Sequence, residues 1–322
     1  MFEIDHCPSC GSRDNKKLKE HLFRFPGDDV RNQLHDLTYE RLWILFERIL
    51  EKRDKTVFLS MLCQKCGLIF TNPRFSREDI QIKYEAINEL GSVKSRLQRH
   101  PPSNLDVRAR RIYHLVTNHL SARAESKPRV LDYGGASGYN VLPFTDKFAC
   151  GVLDFERWDL PRGISYLGRD LSDLREDDRF EVILLLHTLE HIPEPSTFLE
   201  DIGKYLANEG VIYVEVPLGC FREWRLITEP LTHINFFSEE SLFNCINSCG
   251  LATIHLETCY QWVTHGNMWC VNAVGKKENF NDKVIPKLTT KEQMNKLTYY
   301  LPFLLDGGVI RSVLKKLTGK DR

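Results

Sequence analysis

The chain has 322 residues, 42% of them hydrophobic, enough for one full α/β core and a smaller accessory unit. Its 44 basic and 44 acidic side chains cancel, which excludes the global positive field that holds a nucleic-acid backbone. The start, MFEIDHCPSC, has neither the basic region nor the apolar run of a signal peptide, and no apolar stretch reaches bilayer length, which predicts a soluble, cytoplasmic protein.

A first zone, residues 1–75, begins and ends with a CxxC pair: Cys7-Pro8-Ser9-Cys10-Gly11 and Cys63-Gln64-Lys65-Cys66-Gly67. Each pair forms a knuckle-like turn that sets two thiolates about a metal's width apart, and two such turns complete a tetrahedral four-cysteine zinc site. Fifty-two residues separate the pairs, a gap filled by an amphipathic helix predicted at about 29–54 with Leu34, Leu42, Leu45, Phe46 and Ile49 at helical spacing. Free thiols at coincidental spacing are the alternative. The six other cysteines lie within strand-like and helix-like segments and read as small core residues of a reducing compartment.

The second zone, 76–275, opens with a helical pattern at 78–89, a basic connection at 92–102 and a helix at 103–122. Strands are predicted at Arg129–Tyr133, Ala149–Leu153, Ser165–Leu167, Phe180–Leu186, Val211–Val216, Ala252–Cys259 and Met268–Val274. Short apolar strands alternating with helices imply a mostly parallel sheet covered on both faces. After the first strand comes Asp132-Tyr133-Gly134-Gly135-Ala136-Ser137-Gly138, a loop of small residues over which a ligand can approach the backbone. After the second comes Asp154, where a carboxylate can accept hydrogen bonds from both hydroxyls of a ribose, with Glu156 as a second candidate. Asp170-Leu171 follows the third strand, and His187-Thr188-Leu189-Glu190-His191 the fourth.

The order DYGGASG, GVLD, RDLSDL, FEVILLLHTLEHI, LANEGVIYVEVP resembles class I methyltransferases that use S-adenosylmethionine (SAM), over about 125–275. The resemblance implies a Rossmann-like seven-stranded methyltransferase sheet with helices on both faces, behind a small N-terminal zinc-binding module. It implies that Asp132 orients the loop of Gly134, Gly135, Ala136 and Gly138 and contacts the methionine end of SAM. It places the ribose on Asp154, the adenine amino group on Asp170 with the backbone of Leu171, and His187 and Thr188 beneath the cofactor. The junction Cys66-Gly67-Leu68-Ile69-Phe70-Thr71-Asn72-Pro73-Arg74 is similar to that of a narrower group with an N-terminal zinc module, which includes sugar methyltransferases of antibiotic and polysaccharide pathways. In that group the zinc is structural.

Methyl transfer needs a positioned acceptor and, for a poor nucleophile, a base. The segment Leu231-Thr232-His233-Ile234-Asn235-Phe236-Phe237-Ser238 resembles the HLxYFS-like stretch of the sugar enzymes, which implies His233 as a candidate base. The tyrosine that precedes that histidine in the group falls on Pro230 here, which favours O- over C-methylation. His191 is a second candidate, and Glu190 reads as a helix-start residue near a positive dipole end. Between Ser92 and Arg129 nine Lys/Arg face Asp106 and Glu125. Arg108, Arg110 and Arg111 there suit either a solvated helix face or a phosphate on the small-molecule acceptor. The last zone, 276–322, carries eleven Lys/Arg against five Asp/Glu and an apolar patch at Leu297–Leu305, suited to an ordinary terminal helix or to an anionic membrane surface. RNA methylation with the zinc module as the grip, and SAM binding without catalysis, are the competing functions.

Overall fold

A computed structural model of the chain describes residues 1–26, 34, 36–90, 103–120, 127–219, 225, 227–263 and 266–277. The predicted connection at 92–102 and nearly all of the 276–322 zone lie outside these residues.

The N-terminal part is built on strands β1 (Asn15–Arg24), β2 (Lys55–Cys63) and β3 (Ile69–Asn72). β1 pairs antiparallel with β2 from Asn15↔Cys63 to Arg24↔Lys55, and β2 with β3 from Leu59↔Asn72 to Leu62↔Ile69. Between β1 and β2 run helix α1 (Asp36–Ile44) and a wider π turn, Leu45–Ile49. The sequence pattern predicts one helix across 29–54; the described part of that helix starts only at Asp36, and its second half unwinds into the π turn and the start of β2. The strands are the larger correction. β1 escapes a periodicity reading because a bulge between Lys17 and Lys19 shifts its register, so inward residues alternate only at His21 and Phe23. One face of this sheet buries Phe23 and Phe58 against Leu45, Phe46 and Phe75.

Helix α2 (Arg77–Leu90) and helix α3 (Ser103–Thr117) lead into the main sheet. Its strands are β4 (Arg129–Tyr133), β5 (Ala149–Leu153), β6 (Ile164–Gly168), β7 (Phe180–Leu186) and β8 (Leu206–Pro217). After β8 the chain returns to the first sheet as β9 (Asn235–Phe236), then completes the main one with β10 (Leu251–Val263) and β11 (Gly266–Lys277). The seven strands lie in the order β10-β11-β8-β7-β4-β5-β6, with β11 antiparallel to both neighbours. This is the Rossmann-like sheet that the alternation of strands and helices predicts. Its faces are filled alternately: Ile183 and Leu185 of β7 join one core with helices α4 (Pro195–Gly203) and α5 (Glu239–Ser248), while Val182 and Leu184 join the other with Ile112 and Val116 of α3.

Two features position a site. The sheet runs outward in opposite directions from β4 and β7, so their carboxyl ends flank a crevice at a topological switch point. The loop after β8 is held by the N-terminal sheet through β9, which pairs Ile69↔Phe236 and Phe70↔Asn235.

Candidate active site

The loop after β4 is shaped by its glycines. Gly134 has φ +72°, and a Cβ there would stand 3.1 Å from the Thr188 hydroxyl oxygen. At Gly135 a Cβ would meet the Asp132 carboxylate at 2.6 Å, so only glycine fits. Gly138 opens the short 3-10 turn Tyr139–Phe144. Asp132 lies beneath, fully buried, with neither carboxylate oxygen hydrogen-bonded. Burial pushes its pKa up to about 7, against the pull of the Arg108 guanidinium.

Asp154 closes the loop from the next strand. Its carboxylate accepts hydrogen bonds from the Ala136 N–H (2.9 Å), the Glu156 N–H (3.0 Å) and the Trp158 indole (3.3 Å). Burial raises its pKa despite these donors. On the next residue, Phe155 stacks on Tyr84 of α2 with ring centroids 5.3 Å apart, under the Arg169 guanidinium at 4.2 Å. The sequence pattern contains no sign of this aromatic wall. Asp170 is exposed and starts a short turn by accepting the Ser172 N–H at 2.8 Å; the Leu171 carbonyl accepts the Tyr205 hydroxyl at 3.2 Å. The Thr188 hydroxyl donates to the Tyr133 carbonyl at 3.2 Å and so ties the β7 loop to the β4 loop.

His187, in the left-handed region at φ 53°, is tied into a buried charge network. Its Nε2 lies 3.0 Å from Glu215 of β8, its Nδ1 faces Glu190 at 3.4 Å, and the Cys270 sulfur lies 3.8 Å away. Burial alone would lower its pKa, but Cys270, Glu190 and Glu215 hold it well above the usual range, as an imidazolium. Glu215 also pairs with Arg108 and accepts the Tyr213 hydroxyl at 3.2 Å. Burial opposes the Glu215 charge, but Arg108 and His187 keep its carboxyl well below the carboxylate range. Arg108 is thereby committed to Glu215 and, at 2.9 Å, to Asn140. Arg111 pairs with Glu257, and the exposed Arg110 with Asp106. All three guanidiniums serve protein carboxylates, so the phosphate expectation finds no site in them.

The acceptor side of the crevice holds a second group. His191 and His233, from the loops after β7 and β8, come together with ring centroids 5.0 Å apart at 55°. The His191 Nδ1–H donates to the Thr232 carbonyl at 2.6 Å, leaving Nε2 turned towards Glu190 at 3.8 Å. Burial, with Lys83 and His233 beside it, pushes the His191 pKa down to about 3 against Glu190, so the ring is neutral. Burial would raise the Glu190 pKa, but His187, His191 and His233 lower it. Glu190 does lie in the first turn of a short helix, as its neighbours suggest, but it is buried there. It is 1% exposed, in the short turn Leu189–His191, and faces three imidazoles.

These loops are framed by two residues that the sequence pattern does not single out. The buried Arg74, just past β3, donates to the carbonyls of Ile234 (3.1 Å), Ile192 (3.3 Å) and Pro193 and to the Asn235 side-chain oxygen (3.0 Å). The Asn235 amide donates in turn to the carbonyls of Leu189 (3.1 Å) and Ile192 (2.7 Å).

Residues 105–256 match the model of a methyltransferase-domain family. Over those residues the chain carries a methyltransferase domain. No curated protein matches the sequence. Among solved structures, a Burkholderia thailandensis 1,6-didemethyltoxoflavin N1-methyltransferase aligns at TM-score 0.47 and 14% identity, over 66% of this chain and 96% of its own. A Haloferax volcanii methyltransferase complex with the activator Trm112 aligns at 0.41 and 17%, over 55% and 96%. A Methanosarcina mazei methyltransferase aligns at 0.39 and 14%, over 50% and 95%.

The methyltransferase sheet shares its core with the four cysteines. Cys7, Cys63 and Cys66 are buried in the same apolar cluster as Leu131, Ile183 and Val214 of the sheet. The sulfurs of Cys7 and Cys66 lie 3.6 Å apart, those of Cys10 and Cys63 3.5 Å, and all four fall within 4.8 Å of one another. A tetrahedron with zinc–sulfur bonds of about 2.3 Å has edges of about 3.8 Å, so the donor set fits that ion. Backbone N–H groups of Ser9 and Cys66 point at the sulfurs of Cys7 and Cys63 at 3.4 and 3.5 Å, as second-shell donors to thiolates do. On the protein side, the Asn244 amide of α5 donates to the Cys66 carbonyl at 3.1 Å. Among the described residues no helix is long and apolar enough to cross a membrane.

Proposed function

We propose that this methyltransferase acts on a hydroxyl of a small-molecule acceptor, a sugar or nucleotide-linked sugar, with His233 taking the proton. The observation that carries the reading is the approach of His191 and His233 beside the loop of Gly134 and Thr188, which brings a proton acceptor to the cofactor crevice. The sugar class rests on the resemblance of the Cys66–Arg74 junction and the His233 segment. The Pro230 substitution favours oxygen over carbon as the methylated atom.

Bound SAM supplies an electrophilic methyl carbon on a sulfonium. Asp132, beneath the loop, is placed to meet the methionine ammonium, and its unbonded carboxylate awaits such a donor. Asp154, with Glu156 two residues on, is placed for the ribose, and Asp170 with the Leu171 backbone for the adenine. Tyr84 and Phe155 screen that side from water. His187 is a cation between Glu190 and Glu215 and positions the loop; it is not a base. His233 is the base, and the neutral His191, held by the Thr232 carbonyl, packs against it.

The four cysteines hold a structural zinc in this reading. Their burial in the core of the sheet supports that role over an RNA-gripping module, which would present its knuckles to solvent.

Titration calorimetry with SAM on wild type and Asp154→Ala, followed by a radiolabelled-methyl screen of nucleotide sugars, tests the reading. Micromolar SAM affinity weakened in the variant, with label transferred to a sugar and lost in His233→Ala, is expected. Label transfer that survives in His233→Ala removes the base assignment, and folded protein without SAM affinity removes the whole reading.

A further inference from the structure

We propose that Glu190, His191 and His233 form a binding site for a divalent first-row metal cation, separate from the four-cysteine cluster. One donor atom from each lies within 4.8 Å of the other two. Two histidines and one carboxylate are a nitrogen–oxygen donor set suited to Mn2+, Fe2+ or Co2+, whereas the cysteines form a sulfur set suited to zinc.

The hydrogen-bond pattern makes the case. A carbonyl oxygen can only accept, so the 2.6 Å contact with Thr232 fixes the proton of the neutral His191 on Nδ1. Its Nε2 is then the ring atom turned to the Glu190 carboxylate, 3.8 Å away and too far for a hydrogen bond. Donors each about 2.1 Å from one cation stand about 3–4 Å apart, and the 3.8 Å between His191 Nε2 and Glu190 lies in that range. The backbone carbonyl behind His191 is also the partner that metal-bound imidazoles characteristically keep on their other nitrogen.

Glu190 supplies the second observation. It is 1% exposed, yet neither of its oxygens accepts a hydrogen bond. One lies 3.4 Å from His187 without hydrogen-bond geometry, and that ring stands nearer to Glu215, at 3.0 Å. The neighbouring group of His187, Glu215 and Cys270 makes the contrast. It meets the same distance criterion, but Arg108 supplies its positive charge and Tyr213 donates to its second oxygen, so no cation is needed there.

The imidazole of His191 is 21% exposed, so a cation on these three residues would keep coordination positions open to the crevice. With the cation bound, His233 serves as its ligand in place of a free base, and an acceptor hydroxyl occupying an open position would be acidified and lose its proton to solvent before attack on the methyl carbon. That purpose rests on the methyl-transfer reading; the existence of the site does not.

The test is Mn2+ titration of the zinc-loaded full chain, read by the loss of the free-ion electron paramagnetic resonance signal. Pulsed measurement of nitrogen coupling to the bound ion accompanies it. One Mn2+ per chain at micromolar affinity with imidazole nitrogen coupling is expected, and E190Q and H233A each weaken it by about tenfold or more. SAM affinity is measured on the same samples, and its retention shows that the variants are folded. Millimolar or weaker binding by wild type, binding without nitrogen coupling, or equal affinity in E190Q overturns the proposal. If SAM binds and Mn2+ does not, the cation site alone fails; if wild type binds no SAM, the methyl-transfer reading fails independently.

Discussion

Replacing Arg74 with methionine tests whether the N-terminal sheet builds the acceptor side of the site. The side chain is 1% exposed and donates to three backbone carbonyls and the Asn235 oxygen. Methionine fills much of the volume but supplies no donor; the Ile192 and Ile234 carbonyls keep the Asn235 amide and the Thr71 N–H, while the Pro193 carbonyl and the Asn235 oxygen lose the Arg74 donor. Each unsatisfied acceptor costs about 1–3 kcal/mol, but the set relaxes jointly and Arg74 recovers its own burial penalty, so about 3–5 kcal/mol is expected in all. That penalty is visible in the Arg74 pKa, which burial pulls down to about 9 against the opposing charges of Cys7 and Glu194. For a chain of this size the loss lowers the melting temperature by about 4–8 °C. Calorimetric melting measures the stability, and SAM titration at 10 °C separates the two sides of the crevice. The loops of Glu190–His191 and His233 are the ones untied, so kcat should fall while SAM affinity, set by the β4 and β5 loops, holds. A shift below about 1 kcal/mol, or SAM affinity falling in step with kcat, refutes the claim that Arg74 frames the acceptor side.

Gly135→Ala drives a methyl group to within 2.6 Å of the Asp132 carboxylate and should abolish measurable SAM binding, by calorimetry, while the cysteine site keeps its metal. Asp132 has a folded pKa of about 7 against 3.8 unfolded, so the native state holds its proton more tightly. Its contribution to stability is then full below about pH 4 and is lost as pH rises to about 7, an order-of-magnitude 2–4 kcal/mol that Asp132→Asn should recover at pH 8 in urea melts. Over the same window SAM affinity should rise with pH in wild type as the carboxylate ionises, and that slope should be flat in Asp132→Asn. Cys66→Ser should lower metal content by elemental analysis from one zinc per chain and bring the unfolding midpoint down, because the knuckles share the core of the sheet.

The cofactor half of the site is legible in the sequence because local chemistry dictates it. A buried strand must end in small residues for the chain to turn over a ligand, and the Asp132, Asp154 and Thr188 positions follow from strand ends alone. The acceptor half depends on which loops meet. Glu190 reads as a helix-start residue from its neighbours, and only the return of the chain as β9 brings His233 to it. Glu215 sits inside a strand of otherwise apolar residues, a buried charge that signals a partner without naming it; Arg108, its partner, is 107 residues away on a helix that reads equally well as solvated. The charged first strand of the N-terminal hairpin is hidden for a different reason: a bulge between Lys17 and Lys19 breaks the alternation that betrays a strand.

The N-terminal part is more than an appendage. Its third strand pairs with the segment next to His233, Arg74 just beyond that strand binds the loops on both sides of the histidine pair, and its cysteines lie in the core of the sheet. The chain thus sets a second sheet against the loops that carry His191 and His233, where the proposed acceptor side needs a rigid wall. A sheet of this kind carries the cofactor loops on its own strands, and those need no help. Loops that hold an acceptor have no strand to fix them, and here a second sheet supplies one. A change of acceptor would then come through β3, β9 and the residues they hold, without disturbing the Asp132 and Asp154 contacts.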